Sequence, residues 1–273
     1  MDQPDMHEGL IQDSAIASVP EPLSRPLPNL PHISDDQIDA LTMAMNTDGI
    51  GVLPGYIGAD QLAHLQAFVE QRVAGAGGEY VGLIGKAAHD GTMLGDITDQ
   101  PRFIELLHRV YETGARRKAP DQSIYQVLRC LKGNSGLRHS LIFHYDSYVI
   151  TALLPIIIPS EGNAGHLVMW PNSRGIRSSY PLNMIDKILL DNKLTQRLLG
   201  YLVGRGDRWL KKVAMVPGNL YFFYGYRTIH ANEACDPDKI RATALFHFGD
   251  PHAESAIRHF TGKAKVRANS AGK

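Results

Sequence analysis

Cysteine is scarce: Cys130 and Cys235 are the only two in 273 residues. At most one disulfide can form, and their spacing gives neither a zinc ribbon nor a C-x-x-C redox pair, so a reducing compartment is expected. Net charge is also lacking, because 28 Lys and Arg balance 28 Asp and Glu. No overall field therefore draws in nucleic acid or an anionic membrane surface, and neither is expected as a partner. The small basic tail of Lys263, Lys265, Arg267 and Lys273 is the one local excess. Long apolar runs are missing too. The longest, Tyr148 to Pro159, falls short of a bilayer span and carries Thr and Pro. The amino end, Met-Asp-Gln-Pro-Asp, has no basic stretch leading into an apolar run, so no secretory signal is expected and the chain reads as cytoplasmic.

What remains is an ordinary globular composition, 44% hydrophobic and 21% charged, in a chain long enough to bury its own core. The first 33 residues hold Pro20, Pro22, Pro26, Pro28 and Pro31 with little periodicity, which suits an extended arm. Residues 34–260 are expected to form one domain, with 261–273 as the basic tail. Ser34 and Gln37 spell a capping box ahead of a helix ending near Thr47-Asp48-Gly49. A strand over Ile50–Leu53 should follow, then a helix from about Ala59 to Val73 closed by Gly75-Ala76-Gly77-Gly78. Pro101 is placed to start a third helix carrying Phe103, Ile104, Leu107, Val110 and Tyr111.

From Ser123 onward the texture changes to short runs rich in Val, Ile, Leu, Tyr and Phe between turn residues. Strands are expected at Ile124–Leu131, Leu141–His144, Val149–Ile158, His166–Trp170, Lys211–Val216, Leu220–Tyr224 and Ala242–Phe248. That pattern predicts a mainly β sandwich or barrel buttressed by the N-terminal helices. One helical insert, roughly Leu182 to Leu199, interrupts it with Ile185, Ile188, Leu189, Leu194 and Leu198 on a helical period.

His144-Tyr145-Asp146 places two ligand-capable side chains two residues apart, so on an extended segment both face one ion. An H-x-D triplet arises readily by chance, and a polar surface pair is the bland alternative. His230, after the run Pro217-Gly218-Asn219-Leu220-Tyr221-Phe222-Phe223, sits where a third ligand could arrive from the opposite edge of a barrel. Arg241 lies eleven positions later. A hairpin through Asn232–Lys239 would return it to the depth of His230, where a guanidinium could grip a carboxylate in a desolvated pocket. Thr243 can add a hydroxyl on the same face. Two imidazoles and a carboxylate on one side of iron(II) leave open positions for a 2-oxo acid and dioxygen.

The order H-x-D, distal His, then Arg-x-Thr resembles the iron(II)/2-oxoglutarate oxygenase superfamily, whose core is a double-stranded β-helix of jelly-roll or cupin-like type. Within it the chain is similar to the phytanoyl-CoA dioxygenase-like family. The stretches that carry the likeness are Asp48-Gly49-Ile50-Gly51-Val52-Leu53-Pro54-Gly55, Glu161 to Leu167 running on to Pro171-Asn172-Ser173-Arg174, and Val216-Pro217-Gly218-Asn219-Leu220. The resemblance spans roughly residues 36–250. It implies His144, Asp146 and His230 as iron ligands and Arg241 as the partner of the 2-oxoglutarate 5-carboxylate. Gln126 and Asn232 would stand where relatives place a co-substrate contact and a hydroxyl. Gly218-Asn219 replaces the usual Gly-Asp, and Asn172-Ser173-Arg174 replaces Gly-Ser-His. Asp146 is intact, which argues against a halogenase.

The implied activity is oxidation of a C–H bond of a small-molecule substrate with release of succinate and CO2. Hydroxylation is the simplest outcome, with desaturation, epoxidation and cyclisation open to the same oxidant. A metal-dependent hydrolase or isomerase using the same triad with zinc, and a non-catalytic β-barrel binding protein, are the competing readings. Association into a homodimer stays open. His139, His166 and His247 read more simply as structural or outer-sphere groups, and Tyr145 as packing. Trp170 and Tyr224 fit a core as well as a pocket. Lys132, Arg138 and His139 flank a Gly133–Gly136 loop that suits either closure on an anionic substrate or plain solvation. Arg129 faces either a substrate carboxylate or solvent.

Overall fold

The computed structural model describes residues 28–177, 179–253 and 255. The Pro-rich arm before residue 28 and the basic tail at 261–273 lie outside them. Residues 28–33 carry no helix or strand, yet Leu30 and Ile33 are buried. Their carbonyls accept hydrogen bonds from Arg102 (2.9 Å) and Arg109 (2.6 Å), so this end of the arm is tied down.

Four N-terminal helices form the buttress: α1 (Asp35–Thr47), α2 (Ala59–Gly75), α3 (Met93–Asp99) and α4 (Pro101–Ala115). The capping box at α1 is present in both directions, with Ser34 Oγ accepting from Gln37 N–H and Gln37 Oε1 accepting from Ser34 N–H. Pro101 opens α4, where its missing N–H costs no helical bond. Thr92 caps α3, which the sequence pattern did not announce.

The strands are β1 (Gly51–Leu53), β2 (Val81–Ile84), β3 (Tyr125–Leu131), β4 (Ile150–Ile157), β5 (Leu167–Trp170), β6 (Lys211–Val213), β7 (Leu220–Phe223), β8 (Ile229–Asn232) and β9 (Arg241–Phe248). They form a six-stranded sheet in the order β1-β7-β4-β9-β3-β2 and a three-stranded sheet in the order β6-β5-β8. All pairings are antiparallel. Hydrogen bonding does not close the two sheets into a barrel among the described residues, and helical residues outnumber strand residues. The architecture is thus a mixed α and β fold with sheets packed against helices, where a mainly β fold was expected, and the expected double-stranded β-helix core does not appear as a closed barrel.

Side-chain alternation divides the large sheet into two faces. Leu128, Cys130, Ala152, Leu154, Phe222, Ala244, Phe246 and Phe248 turn toward the helices and join Met45, Leu65, Val69, Ile97, Phe103, Leu107 and Val110 in the main core. Leu153, Tyr221 and Phe223 turn the other way and meet Leu167 and Met169 of the small sheet. Cys130 and Cys235 are free and buried.

The helical insert is two helices, α6 (Tyr180–Asp191) and α7 (Lys193–Arg205), parted where Asn192 turns extended and caps the second. A short α5 (Gly133–Leu137) occupies the Gly133–Gly136 loop. Asn219, standing where Asp was the norm of the resemblance, accepts a 2.8 Å bond from Gly55 N–H and so ties two of the motif turns together. No described helix is long and apolar enough to cross a membrane.

Candidate metal centre and its cleft

His144, Asp146 and His230 converge, each offering one ligand atom within 4.8 Å of the others. Leu141–His144 is not a strand as expected; His144 makes an isolated antiparallel bridge with His230 of β8. The imidazoles therefore arrive from adjacent backbones rather than from opposite edges of a barrel, with ring centroids 4.4 Å apart.

Each histidine is oriented by its own backbone. His144 Nδ1 lies 3.0 Å from Ile142 O and His230 Nδ1 lies 3.1 Å from Thr228 O. A carbonyl only accepts, so both Nδ1 atoms carry the proton and both Nε2 atoms present lone pairs to the centre. Those Nε2 atoms lie 3.6 Å from the two oxygens of the Asp146 carboxylate. Asp146 is almost fully buried. Burial alone would raise its pKa, but the imidazoles of His230, His247 and His144 and the Thr151 hydroxyl outweigh it and hold the carboxyl well below the usual range. Thr151 Oγ1 donates to Asp146 Oδ2, and His247 Nδ1 stands 3.7 Å from the same oxygen.

Two glycines make room for this arrangement. A Cβ on Gly225 would lie 2.2 Å from both Asp146 Oδ2 and Thr151 Oγ1, and the Gly225 carbonyl accepts the Asp146 N–H at 3.0 Å. A Cβ on Gly165, whose φ is +66°, would lie 2.7 Å from Arg241 Cδ.

From His144 and His230 a narrow cleft runs between the sheets, walled by Leu153, Leu167, Phe223 and Leu245 and bordered by Arg241, Thr243 and Asn232. Arg241 is buried, and Asn232 Oδ1 accepts from its Nη2 at 2.9 Å. Its Nε has no hydrogen-bond partner, and neither has the buried Thr243 hydroxyl. No Asp or Glu of the described residues pairs with it. Burial foremost, then the neighbouring Arg129, pushes its pKa down to about 10, still charged at neutral pH. The expected hairpin is absent: β8 and β9 belong to different sheets, and the connection between them crosses from one sheet to the other.

Gln126 is not brought to the site. On β3 it shares the helix-facing side with Leu128 and Cys130, and its Oε1 accepts from Thr98 of α3 at 3.2 Å. His139 stacks on Tyr80 with centroids 4.1 Å apart in an outer cleft, while His166 stays outside the triad. Tyr224 is core and Trp170 packs edge-on against Phe143. Tyr145 points away from the centre, its ring 3.7 Å from the Arg174 guanidinium. Arg174 in turn bonds Asp186 (2.8 Å) and Asn183 (3.0 Å) of α6 and the Tyr226 carbonyl (2.7 Å). Thr151, Gly165 and Gly225 were not singled out from the sequence. Thr151 had a signal, since its strand position puts it on the face shared with Leu153.

Solved structures resemble this architecture. A Trichoplax adhaerens prolyl hydroxylase in complex with a hypoxia-inducible-factor peptide aligns with TM-score 0.52 and 12% identity over 81% of this chain and 93% of its own. HygX from Streptomyces hygroscopicus, with nickel and 2-oxoglutarate bound, aligns with TM-score 0.51 and 12% identity over 77% and 85%. EctD from S. alaskensis, with bound Fe, gives TM-score 0.51 and 16% identity over 80% and 76%. The chain has the 2-oxoglutarate oxygenase fold. No family model matches the sequence, and no curated protein matches it significantly. In this oxygenase fold the His144, Asp146 and His230 group is a facial set of two imidazoles and one carboxylate suited to a divalent metal.

Proposed function

We propose that the protein is an iron(II)- and 2-oxoglutarate-dependent oxygenase that oxidises a C–H bond of a small-molecule substrate, most simply by hydroxylation. The observation that carries this reading is Arg241: a buried guanidinium, with Nε unpartnered and no described acid beside it, at the border of a cleft also lined by His144 and His230, two of the three convergent ligands. A charge so placed calls for an anion from outside the chain. The 5-carboxylate of 2-oxoglutarate is such an anion, and Thr243 can donate to it. The donor set fits iron(II), with His144 Nε2, His230 Nε2 and the Asp146 carboxylate on one side and the opposite side left to exchangeable ligands. Bound iron(II) and 2-oxoglutarate supply the activation of dioxygen, the co-substrate leaving as succinate and CO2.

The chain's own residues position and shield. The Ile142 and Thr228 carbonyls hold the imidazole tautomers, Thr151 steers the carboxylate, and Asn232 steadies Arg241. Leu153, Leu167, Phe223 and Leu245 give the cleft apolar walls, which disfavour water beside the reacting centre. A zinc hydrolase on the same triad leaves the unpaired Arg241 without a purpose. The motifs at residues 48–55, 161–174 and 216–220 favour the phytanoyl-CoA dioxygenase-like branch.

The test is succinate formation from 2-oxoglutarate by the iron(II)-loaded protein across a library of small metabolites. Substrate-stimulated release that needs both iron(II) and dioxygen is expected. Turnover without dioxygen, or failure of the metal-loaded protein to bind 2-oxoglutarate at millimolar concentration, overturns the reading.

A further inference from the structure

Arg241 is not the only guanidinium facing the interior. On β3 the side chains alternate, so Arg129 shares the site face with Val127, opposite to Gln126, and it pairs in register with Thr243 of β9. It borders both the deep cleft containing Arg241 and a second, outer cleft that opens beside His144 and Asp146. Arg129 therefore stands between the place argued for the co-substrate and the mouth through which a substrate enters.

Its charge is poorly answered by the protein. Among the described residues its one hydrogen bond is from Nη2 to the His139 carbonyl, at 3.3 Å, although a guanidinium offers five N–H donors. No Asp or Glu among the described residues pairs with it. The described lining of the outer cleft holds one acid, Asp146, which already faces the histidines. Burial first, then Arg129 and Arg138, lowers the pKa of His139, which disfavours a second cation beside Arg129. The remaining lining is Ile84, Val127, Ile142 and Leu245 with the Tyr80 ring stacked on His139, and the polar side chains of His144 and Asn232 at the end nearest the triad. An apolar trough with one forked cation at its inner end is complementary to a small organic acid, with hydrocarbon along the walls and anion on the fork.

Resting on the oxygenase reading above, we propose that the substrate carries an anionic group, a carboxylate or a phosphate, which docks on Arg129 and holds the reacting carbon beside the metal. Arg129 is thus a specificity-determining residue, distinct in role from Arg241.

The experiment uses the full chain loaded with nickel(II), which replaces iron without turnover, and saturated with 2-oxoglutarate. Small carboxylic acids, phosphate monoesters and their matched neutral methyl esters or amides are titrated by calorimetry, with thermal shift as a second readout. At least one acid is expected to bind roughly tenfold or more tightly than its neutral counterpart, a difference of about 1.4 kcal/mol. The carboxylate and phosphate arms tell which anion is preferred. Arg129→Gln should erase that preference while leaving the Kd of 2-oxoglutarate unchanged, and Arg129→Lys should restore part of it. Equal binding of neutral analogues, or no binding by any acid, overturns the inference. So does a rise in the 2-oxoglutarate Kd of the Gln variant, which assigns Arg129 to the co-substrate. If wild-type nickel protein takes up no 2-oxoglutarate at all, the oxygenase reading itself fails; uptake without acid preference sinks only the role of Arg129.

Discussion

His144 and His230 exchange backbone hydrogen bonds in both directions, each N–H donating to the other's carbonyl at 3.1 Å. Two side chains far apart in sequence are thereby locked in register, with their imidazole centroids 4.4 Å apart. His144→Ala and Asp146→Ala are expected to keep the fold, by far-ultraviolet circular dichroism, and to lose metal by more than the roughly 10–100-fold typical of removing an outer partner. Retained stoichiometric metal in either variant, measured by elemental analysis after dialysis, counts against the triad.

Thr151 steers the Asp146 carboxylate without touching a metal. Thr151→Val keeps shape and loses the hydroxyl, and should weaken metal affinity about 10–100-fold. Thr151→Ser should restore most of it, since the donor returns. Competition with a chromogenic chelator reads both.

Arg241 is a buried charge without an acidic partner, so its removal has opposite effects on stability and on function. Arg241→Met should leave the apoprotein as stable as wild type or more so, because an unpaired buried charge is costly. The same change should abolish the rise in Tm that 2-oxoglutarate gives the metal-loaded wild type. It should also raise the co-substrate requirement at least about thirtyfold, the lower end of the roughly 2–5 kcal/mol for losing a buried charge partner. An unchanged 2-oxoglutarate dependence in succinate assays removes Arg241 from the site.

Gly225 marks a place where a single methyl group is excluded. Gly225→Ala would set a Cβ 2.2 Å from Asp146 Oδ2, so either the turn between β7 and β8 or the carboxylate must move. A loss of about 1–3 kcal/mol in chemical denaturation is expected, together with weakened metal binding. A variant that matches wild type in both measurements shows that the contact relaxes freely.

His89 predicts acid sensitivity independent of the metal centre. Its Nδ1 lies 2.8 Å from the Gly85 carbonyl, its Nε2 is buried without a partner, and burial foremost lowers its pKa below the ordinary value of 6.5. The unfolded chain therefore binds a proton that the folded one refuses, and stability falls as pH drops below about 6.5, by up to about 1.4 kcal/mol per pH unit per proton. His89→Gln should flatten that part of the stability profile. An identical slope in urea melts between pH 7 and 5 would assign the effect to other histidines.

Much of this was legible in the chain. The Ser34 box, the Pro101 start and the alternation of Arg241, Thr243 and His247 against Ala242, Ala244 and Phe246 are local signals that the fold keeps. The same alternation separates Gln126 from Arg129, three positions apart and so on opposite faces; applied strictly, it excludes Gln126 from any site that Arg129 faces. Less legible was β8, because Ile229-His230-Ala231-Asn232 is short and half polar, and its pairing with β5 depends on contacts distant in sequence. The β8–β9 hairpin was inferred from chain proximity, but apolar faces on both sheets favour a crossing that buries Leu153 and Phe223 against Leu167. Asn192 split the insert by capping the second helix, a choice between two helical registers that periodicity alone does not make.

Arg174 links parts of the molecule that chain order keeps apart. Its guanidinium is pressed against the ring of Tyr145, the residue between two of the candidate ligands, while its nitrogens grip Asp186 and Asn183 on α6. The helical pair is in this way bolted to the peptide that carries His144 and Asp146. The insert is thereby fastened to the ligand-bearing peptide by a stacked ring and two hydrogen-bonded side chains, so loosening one end of Arg174 loosens the seat of the other.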